Sequence, residues 1–271
     1  MAILHNRHKI RGIEEKRKHK YSDPAENAWG SGRIFTEGAS FFSGKCGILG
    51  KTDTKGADHG MELRELLEIG PGLTALIGGG GKTTLMYHLA SELRQQGTVL
   101  VCTTTRIWPP AHLRVCTEEG TLREELRRRG IACAGTPMEQ GKLTAPAIDN
   151  WETMADFVLV EADGSAGRPF KAHADWEPVL PEERQATVLV MGADGFGKPI
   201  SRMAHRPELY ARLAGATEDQ EVTPELAARV VRLEGLHDRV FLNQVDRAEE
   251  WPLARRLAAV LDCPVTAGTL R

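Results

Sequence analysis

The chain has 271 residues, 41% of them hydrophobic, enough for one large α/β domain or two small ones with a proper core. Its 35 Lys and Arg against 37 Asp and Glu give no overall positive field, so neither nucleic acid nor a membrane is expected as a partner. Five cysteines (Cys46, Cys102, Cys116, Cys133, Cys263) follow no CxxC spacing, and there is no secretory pattern or apolar run of about 18 residues, so the expected setting is a reducing cytoplasm.

Taken in chain order, residues 1–60 open with the charge run "NRHKIRGIEEKRKHK" and continue Gly-rich without helical or strand periodicity. They are expected to be a disordered or non-native N-terminal extension. Met61 leads directly into "ELRELLEIG", a helical pattern stopped by Gly70-Pro71-Gly72, which makes Met61 a plausible start and residues 61–271 the folded domain. Short β-branched runs then recur at 73–77, 98–102, 157–163, 187–191 and 239–243, and they read as strands buried on both faces. Helical patterns fill the gaps: "KTTLMYHLASELRQQG", "TLREELRRRG", "PELYARLAG", "PELAARVVRLEG" and "AEEWPLARRLAAVL". The alternation predicts an α/β fold, a doubly wound, mostly parallel sheet flanked by helices, with ligands bound at the carboxyl ends of its strands.

"IGGGGKTTLMYHLA" (77–90) follows the first strand and opens a helix. Bare amides at a helix N-terminus attract phosphate, and only glycine lets the backbone come so close. Gly78, Gly79, Gly80 and Gly81 would form the cradle, Lys82 would reach the terminal phosphates, Thr83 would bind Mg²⁺ through its hydroxyl, and Thr84 would hold a phosphate nearer the ribose. The usual G-x-x-x-x-G-K-[ST] pattern wants Gly where Leu76 stands, so the match is to a variant. It resembles the GGxGKTT P-loop of partition ATPases, the nitrogenase iron protein and dethiobiotin synthetase. Ile77 occupies the place of the signature lysine that some of those proteins insert across a dimer.

"DFVLVEADGSAGRPFKAH" (156–173) ends a strand in Glu161 and Asp163, two residues apart and so on one side of it. Asp163 is assigned to Mg²⁺ through water, beside Thr83, and Glu161 to activating water or substrate. Arg168 and Lys171 read either as partners of an anionic transition state or as surface charge. "VLVCTTTRIWPP" (99–110) resembles the element after the second strand of signal-recognition GTPases, with Thr103 in place of an aspartate. The hydroxyls of Thr104 and Thr105 would then hold a Mg²⁺-bound water or a substrate anion, and Arg106 would clamp a phosphate. Trp108 reads as core rather than as a lid over substrate.

"RVFLNQVDR" (239–247) resembles the NKxD element of GTPases, with Gln244 for its lysine. Asn243 and Asp246 would read a nucleotide base, or else cap a strand-to-helix turn. "GADGFGKPISRMAHRPEL" (192–209) offers Asp194, Lys198, His205 and Arg206 on a Gly-rich loop; His205 and a metal role for His173 are the weaker candidates. Cys102, Cys116 and Cys133 read as small hydrophobes, or as thiols that could carry sulfur or selenium.

The ordered set "IGGGGKTT", "TTTRIWPP", "VEADGSAGRPFKAH", "EPVLP", "GKPI", "HRPEL" and "LNQVD" resembles the YqeC family from about Met61 onward. The resemblance implies an accessory role in maturing the selenium cofactor of molybdenum hydroxylases, with the hydroxylase or its cofactor-assembly proteins as partners. Combined with the loop, it implies a Mg²⁺-dependent P-loop NTPase that binds ATP or GTP, with Lys82, Glu161, Asp163, Arg168 and Lys171 as candidate catalytic residues. Two alternatives stay open: a small-molecule kinase or ligase resembling dethiobiotin synthetase, and a nucleotide-gated chaperone without a small acceptor.

Overall fold

The computed structural model describes residues 61–270. The expectations for residues 1–60, Cys46 included, lie outside the described residues. Helix α1 (Leu63–Leu66) is a single turn, shorter than its pattern, because Glu68 turns the chain with φ 46° before β1 (Gly72–Gly78) begins. Helix α2 (Lys82–Leu93) then returns to β2 (Val99–Thr103), and β3 (Val115–Cys116), α3 (Glu119–Arg129) and β4 (Ile131–Ala134) follow. A small hairpin, β5 (Thr136–Pro137) with β6 (Leu143–Thr144), precedes β7 (Phe157–Glu161), β8 (Phe170–Lys171) and β9 (Arg184–Gly192). The remainder is α4 (Ile200–Met203), β10 (Ala204–His205), α5 (Pro207–Ala214), α6 (Pro224–Glu234), β11 (Arg239–Asn243), α7 (Glu250–Val260) and β12 (Val265–Ala267).

Eight strands form one sheet in the order β12-β11-β9-β1-β7-β2-β4-β3. Every pairing in it is parallel. The fold is therefore α/β, a central parallel sheet flanked by helices. All five strands expected from β-branched runs are present; β3, β4 and β12 are too short to announce themselves by pattern, and pairing along the sheet is what holds them extended. Three of the helices end where the sequence supplies glycine: Gly130, Gly215 and Gly235 take the left-handed conformation just past α3, α5 and α6.

Two apolar clusters fill the interior. One joins Leu189, Met191, Val240 and Leu242 of the sheet to Tyr210, Val231 and Leu257 of α5, α6 and α7. The other joins Leu100, Val158 and Val160 to Leu122 and Leu126 of α3 and to Trp151. At the start of α6 the Thr223 hydroxyl accepts from Leu226 N at 3.3 Å, with Pro224 at the first helical position. Thr223→Ala is expected to cost about 1 kcal/mol in urea unfolding and Thr223→Ser close to nothing. Equal losses in the two variants would mean the hydroxyl does not cap.

Because β1 sits between β7 and β9, the chain leaves it toward one edge of the sheet and later comes back to its other side. That reversal opens a crevice at the carboxyl ends of the central strands. The residues that follow β1, β7, β9 and β11 line it.

Candidate functional site

Between β1 and α2 the chain makes a turn of glycines. Gly81 takes φ 115°, and a Cβ there would stand 2.7 Å from Asn243 Nδ2; a Cβ on Gly79 would run into the Arg168 carbonyl. Both positions therefore require glycine. No side chain caps the N-terminus of α2, so its first-turn amides keep their hydrogen-bonding capacity for something outside the helix.

Lys82, the first residue of α2, is buried. Its ammonium donates to Gly78 O at 2.6 Å and lies 3.1 Å from Asp163 Oδ1 and 3.6 Å from Glu161 Oε1. The contact with Asp163 is an ion pair by distance, without the alignment of a hydrogen bond. Thr83 Oγ1 donates to Glu161 Oε2 at 2.7 Å.

Asp163 is fully buried, two residues beyond the end of β7. Its Oδ2 accepts from Gly78 N at 2.9 Å, meets His173 Nε2 at 2.7 Å and lies 3.4 Å from the Lys171 ammonium. Burial alone would raise its carboxyl, but Lys82, His173 and Lys171 outweigh burial and hold it down at about 2. On Glu161 burial prevails over Lys82 and Thr83, and its carboxyl lies above the usual range. His173 is pulled down by burial and up by hydrogen bonds to Asp163 and Glu234, with a net rise. Its Nδ1 meets Glu234 Oε2 at 2.8 Å, and its backbone N donates to Glu234 Oε1 at 2.6 Å. Lys171 also donates to Gly164 O at 2.5 Å and pairs with Glu177 Oε2 at 2.9 Å, the same oxygen that holds Arg206 at 2.7 Å.

A hard cation such as Mg²⁺ needs oxygens that are not already held by cations. Thr83 Oγ1 and Glu161 Oε2 meet that condition, a hydroxyl and a carboxylate oxygen in contact, while the other Glu161 oxygen pairs with Lys82 at 3.6 Å. Direct coordination by Asp163 does not suit this geometry, because Oδ2 faces Gly78 N, His173 and Lys171 and Oδ1 faces Lys82; a contact through water would use Oδ1, which accepts no hydrogen bond. Among the described residues no three His, Cys, Asp or Glu side chains are gathered as a metal cluster.

The threonines after β2 are engaged locally. Thr103 Oγ1 donates to Glu161 O at 2.7 Å, Thr104 Oγ1 donates to Val179 O at 2.6 Å, and Thr105 N donates to Thr103 Oγ1 at 3.0 Å. They tie β2 to β7 and to the strap around residue 179. Thr84, Arg106 and Arg168 are exposed, and the Arg168 carbonyl accepts from Gly80 N at 3.3 Å. Trp108, expected in the core, is 53% exposed beneath the Lys142 ammonium; its neighbour Ile107 bonds to Leu143 and takes the inward position instead. Cys102, Cys116 and Cys133 are buried, and burial pushes the Cys133 thiol up to about 12, so it stays a protonated thiol rather than a nucleophile.

At the end of β11, Asn243 is a clamp. Its Nδ2 donates to Gly80 O at 2.8 Å, and its Oδ1 accepts from Gln244 N at 2.8 Å and Leu270 N at 3.0 Å. The glycine turn, the residues after β11 and the C-terminal loop are joined through this one amide. Asp246 is exposed just beyond, its backbone N–H held by Glu250. A cavity of about 120 Å³ lies between Gly80, Gly81, Ser165, Pro169, Asp194 and Gln244. That is below the roughly 300 Å³ of a typical small-molecule site. Lys198 and His205 make no contact with this cradle in the hydrogen-bond or ion-pair network described above.

The model of the family described as YqeC protein matches residues 74–208. The uncharacterized protein YqeC of Escherichia coli (strain K12) is 31% identical over 200 residues, covering 66% of this chain and 78% of the relative. The chain belongs to the YqeC family. The YqeC model takes in the glycine turn, Glu161, Asp163, Lys171 and His173 but stops before Glu234, Asn243 and Asp246. Glu177 enters the sequence analysis only as the first residue of "EPVLP" and Glu234 only inside the helical pattern "PELAARVVRLEG", neither with a role. A glutamate at the last position of a helix opposes the helix dipole, and that is the one local signal that marks Glu234.

Proposed function

We propose that this YqeC-family protein is a cytoplasmic, Mg²⁺-dependent P-loop nucleotide-binding protein that hydrolyses or transfers the terminal phosphoryl group of a nucleoside triphosphate. The observation that carries it is a buried lysine at the foot of an uncapped helix, next to a threonine hydroxyl held by a strand-end carboxylate. Phosphate binds where Lys82 and the first-turn amides of α2 converge, and Lys82 exchanges Gly78 O for a phosphate oxygen. Thr83 and Glu161 would hold the metal, which when bound would neutralise charge on the phosphates. Lys82 and the amides of Gly79 to Thr83 meet the charge that develops on the transferred group. The service of this turnover to the selenium cofactor of molybdenum hydroxylases is supported by the family resemblance alone.

Asn243 is bonded to the turn at Gly80, Asp246 follows it by three residues, and we assign Asp246 to the base. A carboxylate there accepts from the ring N–H and amino group of guanine. Calorimetric titration in Mg²⁺ is expected to give GTP at least about tenfold tighter than ATP, with the preference lost in Asp246→Ala. Indifference to Asp246→Ala would leave 243–246 a structural turn and reopen ATP.

A second reading, a small-molecule kinase, is favoured by the convergence of Lys171 and Arg206 on one oxygen of Glu177. An anionic acceptor could replace that carboxylate. Turnover that rises sharply on adding one metabolite would support it.

A further inference from the structure

We propose that His173 and Glu234 are positioning residues for Lys82, acting through Asp163 to decide how readily the lysine leaves its resting place for a phosphate. This rests on the nucleotide reading above and deepens it.

Lys82 is stored rather than presented: buried, bonded to its own loop at Gly78 O and paired with Asp163. To meet a phosphate it must abandon a fully buried carboxylate. An unpaired buried charge is strongly unfavourable, so the lysine can move only if Asp163 keeps other partners. It does. Gly78 N and His173 hold Oδ2 by hydrogen bonds, and Lys171 stands by at 3.4 Å.

His173 in turn is fixed from the far side. Glu234, the last residue of α6, takes both its ring Nδ1 and its backbone N–H, and among the described residues Asp163 is the one other side chain bonded to that ring. With one nitrogen on Asp163 and the other on Glu234, the imidazole cannot rotate away, and two flanking carboxylates favour its charged form. The line Lys82, Asp163, His173, Glu234 thus runs from the glycine turn to the end of a helix packed behind the site. Weakening its far end leaves Asp163 less compensated, and Asp163 then holds Lys82 harder.

A double-mutant cycle on the full chain reads this directly. The dissociation constant of Mg²⁺ with GTP, and with ATP as the second probe, is measured by calorimetry for wild type, Lys82→Ala, His173→Gln and the double variant. Glu234→Gln, close in shape but neutral, goes through the same cycle in case His173→Gln does not fold. The expected result is a loss of about tenfold for His173→Gln and about threefold for Glu234→Gln with Lys82 present, and no further loss with Lys82 absent. Equal losses in both backgrounds mean general structural damage and overturn the proposal, as does no loss in either. Wild type that binds neither nucleotide overturns the nucleotide reading, and this proposal with it.

Discussion

Lys82→Ala is expected to lower nucleotide turnover by at least about a hundredfold, the usual effect of removing one charged donor aimed at a developing oxyanion. The fold should survive. Without the lysine, Asp163 still has Gly78 N, His173 and Lys171, and Glu161 still holds Thr83. Phosphate release and a thermal melt, run side by side, separate the two effects. Turnover at the wild-type rate would sink the nucleotide reading, and a collapsed melt would mean that Lys82 serves mainly to balance buried charge. Glu161→Gln gives the complementary result: the amide can still accept from Thr83, so the protein folds, but metal-dependent turnover is lost.

Asp163→Ala is expected to be the most damaging single change. It leaves the Lys82 ammonium, the Lys171 ammonium and the His173 ring facing one another in a buried space. Removing one partner of a buried charge cluster costs about 3–5 kcal/mol, a large part of the roughly 5–15 kcal/mol that holds a domain folded. The check is urea unfolding beside Glu161→Gln, where the midpoint should fall far more for Asp163→Ala. A variant as stable as wild type that loses only metal affinity would return the metal role to Asp163.

The same residues give a pH signature. The depressed carboxyl of Asp163 contributes stability that is complete above its unfolded value of 3.8 and is lost as pH falls through about 2. The raised His173 acts in the opposite sense: its contribution is complete below its unfolded value of 6.5 and is lost as pH rises through its folded value.

Much of this molecule is written locally. The β-branched runs at 73–77 and 239–243 become strands because buried positions on both faces suit them, and α6 begins at Thr223-Pro224 and stops at Gly235 because those residues satisfy or end a helix by themselves. The glycines before Lys82 are legible for the same reason, since close approach and positive φ are properties of single residues. Alternation likewise puts Glu161 and Asp163 on one side of their strand, and both do reach Lys82.

Which carboxylate meets which partner is another matter. Glu161 lies opposite Leu76 in the register of β7 with β1, so it ends beside Thr83, while Asp163 lies two residues past the strand and reaches the Gly78 amide. No spacing in the sequence distinguishes those outcomes. Trp108 is outside because Ile107 pairs with Leu143, a contact set by the hairpin packed against it. Glu234 lies 61 residues from the histidine it orients, and α6 must dock before they meet.

The sequence by itself thus determined the alternating elements, the glycine turn and the residue types that could hold phosphate, because each follows from the conformational freedom or burial of neighbours along the chain. Only the tertiary structure decided the order of the strands, the division of labour between Glu161 and Asp163, the internal bonding of the threonines and the histidine line behind Lys82. Those depend on sheet register and on the pairing of buried charges from distant segments, which no local pattern records.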